Sequence, residues 1–124
     1  MSQDIVSDAL NQIMNAKRSK KKELTITHHS KLLASVLAIA KLNGYIKDFH
    51  VEGSKLKVTI GKLNGCNAIK PRYTVGVEQI DRYVQRYLPA KGIGLIVVST
   101  SEGLMTHSTA QEKNIGGSLI AFWF

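Results

Sequence analysis

Two short stretches near the C-terminal end of the sequence carry groups suited to hydrogen bonding with a closely approaching partner. Ser99-Thr100-Ser101-Glu102-Gly103 supplies hydroxyls that both donate and accept hydrogen bonds, and Gly116-Gly117 offers backbone without Cβ atoms. Structured RNA presents matching groups in its 2′-hydroxyls, phosphate oxygens and unstacked base edges. The pattern therefore favours an RNA contact. The alternative is a polar turn that only ends a strand.

The segments around these residues predict a rigid support for them. The β-branched and apolar run 93–98 predicts a buried strand that ends at the hydroxyls. Thr106 is expected to cap a short helix over 107–113, and the glycine pair is expected to open a last strand over 118–124. The hydroxyls and the glycines should therefore meet at one edge of a C-terminal unit.

The charge of the chain indicates the kind of partner. Its 124 residues include 17 Lys and Arg against 9 Asp and Glu, which gives a net charge of +8. Such an excess favours an anionic partner, nucleic acid first and a membrane surface second. No apolar run approaches a spanning helix and no secretory signal is evident, so we expect a cytoplasmic protein without a membrane role.

Part of this charge is concentrated in the run Lys17-Arg18-Ser19-Lys20-Lys21-Lys22. Its five cations in six positions repel one another unless salt or a partner screens them. We predict a solvated segment that is mobile when free and that binds a polyphosphate backbone. The alternative is an ordinary solvated loop.

The hydrophobic periodicity predicts an α+β protein of two small subdomains. Residues 1–65 should form an α/β unit with the order helix, strand, helix and hairpin, and residues 66–124 a mostly antiparallel β unit with short helices. The remaining predicted elements are helices over 3–16, 31–43 (capped by Ser30) and 78–87, strands over 24–27, 45–51 and 55–60, and a linker or edge strand over 67–75.

Catalysis and metal binding find little support in the sequence. Cys66 is the only cysteine, which excludes an intrachain disulfide and a multi-cysteine zinc site. His28 and His29 should point to opposite faces of an extended backbone, so we expect no metal, although protonation near phosphate would help binding. Ser101, His107 and Glu112 could be imagined as a nucleophile, a base and an orienting group. No Gly-x-Ser-x-Gly turn surrounds the serine, however, and the three lie too close in sequence to imply a prebuilt triad. We therefore predict no catalytic residues, no cofactor and no enzyme.

The aromatic end of the chain offers a competing function. Phe122-Trp123-Phe124, if exposed, would suit a docking tail of a protein-interaction module. Alternation along a strand places Phe122 and Phe124 on one face, so we expect the tail to close the last strand instead.

Several longer motifs resemble one known family. Tyr87-Leu88-Pro89-Ala90, then an apolar strand, the 99–107 stretch, Ala110, Gly116-Gly117 and an aromatic end are similar to the eighth protein of the small ribosomal subunit. The archaeal and eukaryotic branch of that family is resembled at the following segments: Asp8-Ala9-Leu10-Asn11, Ser30-Lys31-Leu32, Gly44-Tyr45-Ile46, Gly61-Lys62-Leu63-Asn64 and Ala68-Ile69-Lys70-Pro71-Arg72.

The resemblance implies a function and a set of contacts. It implies a primary RNA-binding protein, monomeric within the ribosome, that docks on an irregular helix in the central domain of small-subunit ribosomal RNA and helps assemble the platform. It also implies contacts with neighbouring ribosomal proteins, notably the fifth of the small subunit. The alternative is a non-ribosomal RNA-binding or protein-interaction module. The residues that the resemblance assigns to RNA are Ser99, Thr100, Ser101, Gly103, Met105, Thr106, Gly116, Gly117, Tyr87, Arg72, Lys31, Asn15, Lys17 and Arg18.

Overall fold

The computed structural model describes residues 5–27, 30–69, 72–90 and 92–124. The chain divides into two compact units, Met1–Asn67 and Ala68–Phe124. The elements of the first unit are α1 (Ile5–Arg18), β1 (Glu23–Ile26), α2 (Lys31–Leu42), β2 (Ile46–Glu52) and β3 (Lys55–Ile60). The remaining elements are β4 (Cys66–Ala68), β5 (Thr74–Val75), a 3₁₀ turn (Val77–Gln79), α3 (Ile80–Tyr87), β6 (Leu95–Thr100), β7 (Gly103–Thr106), α4 (His107–Glu112) and β8 (Gly117–Trp123). The predicted α+β class is confirmed.

The first unit packs two helices on one face of an antiparallel sheet. The strand order is β1-β3-β2, and β2 and β3 form the predicted hairpin. Alternation along β3 buries Leu56 and Val58 and leaves Lys55 and Lys57 exposed. The apolar stripes of the helices cover the buried face, with a core that includes Leu10, Ile13, Leu33, Leu37, Ile26, Ile46, Leu56 and Val58.

The helix ends of the first unit follow local sequence signals. Ser30 caps α2 as predicted, because its hydroxyl accepts a hydrogen bond from the Leu33 amide at 3.2 Å. The predicted end of α1 at residue 16 is wrong, since Lys17 and Arg18 continue the helix. The chain then turns through Lys20, which has φ of 62°, and the Lys21 amide donates to the Ala16 carbonyl at 2.9 Å. The predicted start of this helix at residue 3 and the His28-His29 pair lie outside the described residues.

The second unit is built on an antiparallel sheet in which β8 pairs with both β5 and β6, and β6 pairs with β7. β6 and β7 form a hairpin, and β8 lies along the other edge of β6. The register between β6 and β8 shifts at one point, so that Ile120 is an extra residue between the pairs Val97–Ala121 and Val98–Leu119. The buried cluster on one face includes Ile69, Ile80, Leu88, Ile96, Val98, Met105, Ala110 and Leu119.

Two strand predictions for the second unit need correction. β6 begins later than the predicted residue 93, because Gly94 has φ of 87° and a Cβ there would lie 2.6 Å from the Trp123 carbonyl oxygen. The strand also continues through Ser99 and Thr100, which pair with β7 and therefore extend the ladder beyond the apolar run. β7 itself was not predicted, since its four residues carry no long hydrophobic pattern.

The aromatic end of the chain closes the last strand, as predicted. Trp123 is fully buried, and the rings of Phe122 and Phe124 stack with centroids 6.1 Å apart. β8 ends at Trp123, one residue before the predicted end. Phe122 packs against the buried cluster, so the tail is part of the fold of this unit.

Candidate nucleic-acid interface

Three hydroxyl residues on neighbouring strands of the second unit form a row, which we call the hydroxyl row. Ser118 of β8 lies between Thr74 of β5 and Ser99 of β6 in the strand register. Because directly opposed residues project to the same face of a sheet, the three side chains point the same way. The Thr74 and Ser118 hydroxyl oxygens are 3.2 Å apart. The sheet therefore presents a line of hydrogen-bonding groups across three strands.

Only one member of this row was predicted from the sequence as a site residue. Ser99 was selected from its own motif, whereas Thr74 and Ser118 were assigned only to an extended segment and to the last strand. Pairing between residues distant in sequence brings them together, so no local pattern identifies them. The one available signal was Ser118 directly after the glycine pair.

The glycine pair allows β5, β8 and β6 to approach closely. A Cβ at Gly117 would overlap with the Ser99 carbonyl oxygen, and a Cβ at Gly116 would overlap with the Val75 carbonyl oxygen. Neither glycine has a positive φ, so space and not backbone conformation requires them. The close approach that the sequence indicated is therefore made, first of all, by the protein's own backbone.

The turn between β6 and β7 carries two neighbouring hydroxyls, those of Thr100 and Ser101, in different surroundings. The Thr100 hydroxyl donates to the Gly103 carbonyl at 2.9 Å and accepts from the Glu102 amide at 3.1 Å. Gly103 supports the turn with φ of 110°. Ser101 is exposed at the tip. Thr100 therefore holds the turn, and Ser101 offers its hydroxyl to solvent or to a partner.

Two other residues assigned to RNA are engaged within the protein. Met105 lies opposite Val98 and belongs to the buried cluster, with a relative exposure of 8%. The Thr106 hydroxyl caps α4 by accepting from the Thr109 amide at 3.2 Å, and it donates to the Thr109 hydroxyl at 3.1 Å. This cap was predicted. Because the Met105 side chain is buried, a contact with RNA at this residue would involve its backbone.

Tyr87 belongs to an aromatic stack that the sequence patterns did not predict. Its ring stacks on Tyr83 with centroids 6.5 Å apart and on Phe122 with centroids 5.3 Å apart. The Arg86 guanidinium lies 5.6 Å from the Tyr87 ring centroid and 5.9 Å from that of Tyr73. Exposed Arg72 precedes Tyr73 directly. An arginine held on two aromatic rings is preorganised for an anionic partner.

The remaining predicted RNA contacts lie in the first unit. Asn15, Lys17 and Arg18 are in the last turns of α1, and Lys31 is the first residue of α2. Asn15, Arg18 and Lys31 are exposed, and Lys17 is half-buried. The basic run therefore divides between a helix end and the following turn.

Comparison with known proteins decides the family. A family model described as ribosomal protein S8 matches residues 4–124. A curated relative from Methanococcoides burtonii, "Small ribosomal subunit protein uS8", is 42% identical over 124 residues, covering 96% of this chain and 95% of the relative. A relative of the same name from Methanosphaerula palustris is 38% identical over 125 residues, covering 97% and 96%.

The chain belongs to the ribosomal protein S8 family. The resemblance proposed from its motifs is thereby confirmed, over nearly the whole chain. Members of the S8 family are structural proteins of the small ribosomal subunit, so the chain is a ribosomal protein of the cytoplasm and not an enzyme. Ribosomal RNA and other ribosomal proteins are its partners.

The described part of this S8 chain contains neither a cluster of potential metal ligands nor a helix that could span a membrane. Across residues 5–27, 30–69, 72–90 and 92–124, no three His, Cys, Asp or Glu side chains gather as a metal site requires. Within the same ranges, every helix is too short or too polar to span a lipid bilayer.

His107, considered above as a catalytic base, has a structural hydrogen bond in this S8 chain. Its Nδ1 accepts a hydrogen bond from the Ile96 amide at 3.1 Å, which fixes the proton of the neutral ring on Nε2. Burial lowers the pKa of His107, and the charge of Asp81 opposes part of that shift. The neutral ring therefore joins α4 to β6.

A pH dependence of stability follows from this bond. Because the folded state holds the pKa of His107 below its ordinary 6.5, the unfolded chain binds more protons, and stability should fall as pH decreases from about 6.5. The pKa values of Asp48 and Glu52 are also lowered, from ordinary values of 3.8 and 4.5. These two carboxyl groups should therefore titrate at a lower pH than His107. We expect His107→Asn, which keeps an acceptor near the Nδ1 position, to reduce the change in the free energy of urea unfolding between pH 7 and 5. An unchanged slope in the variant would assign the acid sensitivity to other groups.

Proposed function

We propose that the second unit of the chain binds an irregular helix in the central domain of small-subunit ribosomal RNA. The hydroxyl row carries this proposal, because three aligned hydroxyls and the exposed Ser101 suit the 2′-hydroxyls and base edges of a distorted helix. Phosphate contacts supply attraction without sequence preference, whereas a fixed line of donors and acceptors favours one RNA shape. Both are expected of a protein that binds its RNA early in assembly and helps to build the platform of the subunit.

Charged and aromatic residues complete the proposed contact in this unit. Arg72 and Arg86 are exposed cations beside the Tyr73 end of β5, next to Thr74 of the hydroxyl row. Tyr87, Gly103 and the backbone of Met105 and Thr106 are proposed to meet sugars and phosphates. Lys31, Lys17, Arg18 and Asn15 of the first unit are proposed as further backbone contacts.

A footprint of the purified protein on a transcript of the central domain tests the proposal. We expect protection of the sugars and base edges of one irregular helix, and loss of that protection when Ser99 and Ser118 are both changed to Ala. The exposed Ser108→Ala serves as a control in the same unit. Protection spread evenly over regular helices would contradict the proposal, since it would indicate binding by charge alone.

The basic run gives a separate prediction for salt dependence. Lys20, Lys21 and Lys22 are exposed, so each can neutralise a phosphate and release a counterion. Changing all three to Gln should reduce the slope of log Kd against log salt by about 0.9 for each phosphate that is no longer neutralised. Filter binding between 50 and 300 mM salt measures this slope. A slope equal to that of the parent protein would mean that the run contacts no phosphate.

We also propose that the chain contacts neighbouring ribosomal proteins, notably the fifth of the small subunit. The proposal rests on the family resemblance. Binding of that protein to RNA complexes formed with and without this chain tests it, and equal binding in both would oppose the contact.

A further inference from the structure

The first unit contains a polar groove at the free edge of its sheet. It lies between the C-terminal end of α1 and strand β1, and has a volume of about 350 Å³. This size falls within the range of small-ligand sites, roughly 300–1,000 Å³. The residues that line it are Gln12, Asn15, Ala16, Ser19, Lys21, Glu23, Leu24 and Thr25.

Backbone groups of β1 add hydrogen-bonding capacity to this groove. β1 is an edge strand that pairs only with β3 among the described residues. The Ile60 amide donates to the Lys22 carbonyl at 2.8 Å, so Lys22, Leu24 and Ile26 direct their backbone groups toward β3. By alternation, Glu23 and Thr25, which both line the groove, direct their amides and carbonyls away from β3 at the free edge of the sheet.

The charges at the groove favour one orientation of a bound ligand. Lys21 is the cationic residue in the lining of the groove, and the exposed Lys20 and Lys22 flank it in the sequence. The carboxylate of Glu23 repels phosphate and accepts hydrogen bonds from N–H groups. A ligand with an anionic part and an N–H-bearing edge would therefore place its anion toward Lys21 and its donors toward Glu23.

We propose that this groove binds a single unstacked nucleotide of ribosomal RNA, with the phosphate at Lys21 and the base edge against β1. The side-chain amides of Gln12 and Asn15 and the outward backbone groups of β1 match the edges of RNA bases. The inference rests on the proposed RNA-binding function and adds a base-reading site, in the first unit, to the sugar and backbone contacts proposed for Asn15.

An added peptide strand fits the same edge less well. Only Glu23 and Thr25 direct their backbone outward, so a peptide would form a very short ladder. The five cations of the adjacent run favour a polyanion over a peptide of mixed charge. Both observations favour RNA over a peptide as the ligand of this groove.

Matched variants on α1 test the groove. Asn15 lines it, whereas Asn11 is an exposed amide on the same helix that does not. We expect the parent protein and Asn11→Ala to protect one unpaired nucleotide of the central-domain transcript from base-specific chemical modification, and Asn15→Ala to leave it reactive. Asn15→Ala should also bind the transcript about 3- to 10-fold more weakly than Asn11→Ala, as the loss of one or two hydrogen bonds implies.

Two results would overturn the inference. One is identical protection and affinity for Asn15→Ala and Asn11→Ala while the irregular helix remains protected by both. The other is a loss of binding to a ribosomal protein, and not to RNA, in Asn15→Ala. Failure of the parent protein to protect the irregular helix would instead count against the proposed function of the second unit.

A directed cleavage experiment keeps the two proposals separate. An iron chelate attached at Asn11→Cys, one turn along α1 from Asn15 and outside the groove lining, should cleave the bound transcript at one short segment. Burial raises the pKa of Cys66 to about 12, so the native thiol should not take the label. Diffuse cleavage, or none in a complex that still forms, would contradict a nucleotide in the groove.

Discussion

Gly117→Ala should destabilise the second unit by about 3 kcal/mol or more, the largest effect that we expect from a single methyl group. The added Cβ would overlap with the Ser99 carbonyl oxygen and lie 3.1 Å from a Val98 methyl group. Both neighbours belong to the central strand of the sheet, so a rigid ladder would have to separate to make room. Urea unfolding followed by fluorescence of Trp123, the single tryptophan, measures the change.

Gly76→Ala is the matched control for this substitution. Gly76 lies in the same unit with φ of −78°, and the three atoms nearest to a Cβ there belong to the side chain of Glu78, which is exposed and can rotate away. We expect a change within about 0.5 kcal/mol. Equal stability of the two variants would show that β8 and β6 can separate at low cost, and would remove the structural reason for a glycine at position 117.

Ser101→Ala should weaken binding to the irregular helix by about 1–3 kcal/mol, or roughly 5- to 150-fold in Kd. The hydroxyl is exposed at the β6–β7 turn, where the Thr100 hydroxyl and Gly103 hold the backbone, so the turn should form without it. The cost arises on the RNA side, because a group that meets Ser101 in the complex would lose its partner while remaining withdrawn from water.

The comparison of two RNAs makes this prediction specific. Filter binding with the isolated irregular helix should show the full loss for Ser101→Ala, whereas binding to RNA of random sequence should change little, since charge dominates there. Ser108→Ala, an exposed serine on α4, should match the parent protein on both RNAs. A loss of equal size on the two RNAs would refute the assignment of shape recognition to this turn.

Local signals allowed much of the fold to be predicted from the sequence. The Ser30 and Thr106 caps, the hairpin of β2 and β3 and the α+β class depend on residues near each other in the chain, and they were predicted correctly. The early end assigned to α1 failed because Lys20, a residue other than glycine, adopts positive φ after the helix. The strand was predicted to end before Ser99 and Thr100, because their polarity does not indicate a strand; pairing with β7 continues it through both residues.

The candidate site was less predictable because it depends on pairing between distant segments. Ser99 and Ser101 were selected from their motif, but Thr74 and Ser118 join Ser99 only through the register of three strands. The glycine pair predicts a close approach by a partner, yet the atoms that occupy the space left by the missing Cβ atoms belong to Ser99 and Val75. No sequence pattern identifies Arg86, because Tyr73, one of its two aromatic neighbours, is distant in the sequence.

The extra residue in β8 makes the two halves of that strand opposite in phase. Leu119 and Phe122 both face the buried cluster although three positions separate them, which strict alternation forbids. Counted back from Phe122 by strict alternation, Leu119 would turn outward and Ser118 inward. Because Ile120 is unpaired in the β6–β8 ladder, Ser118 can project to the face opposite the buried cluster while the ring of Phe122 packs against that cluster. The β-bulge at Ile120 is therefore what lets a single segment serve both the polar surface and the aromatic packing of this unit.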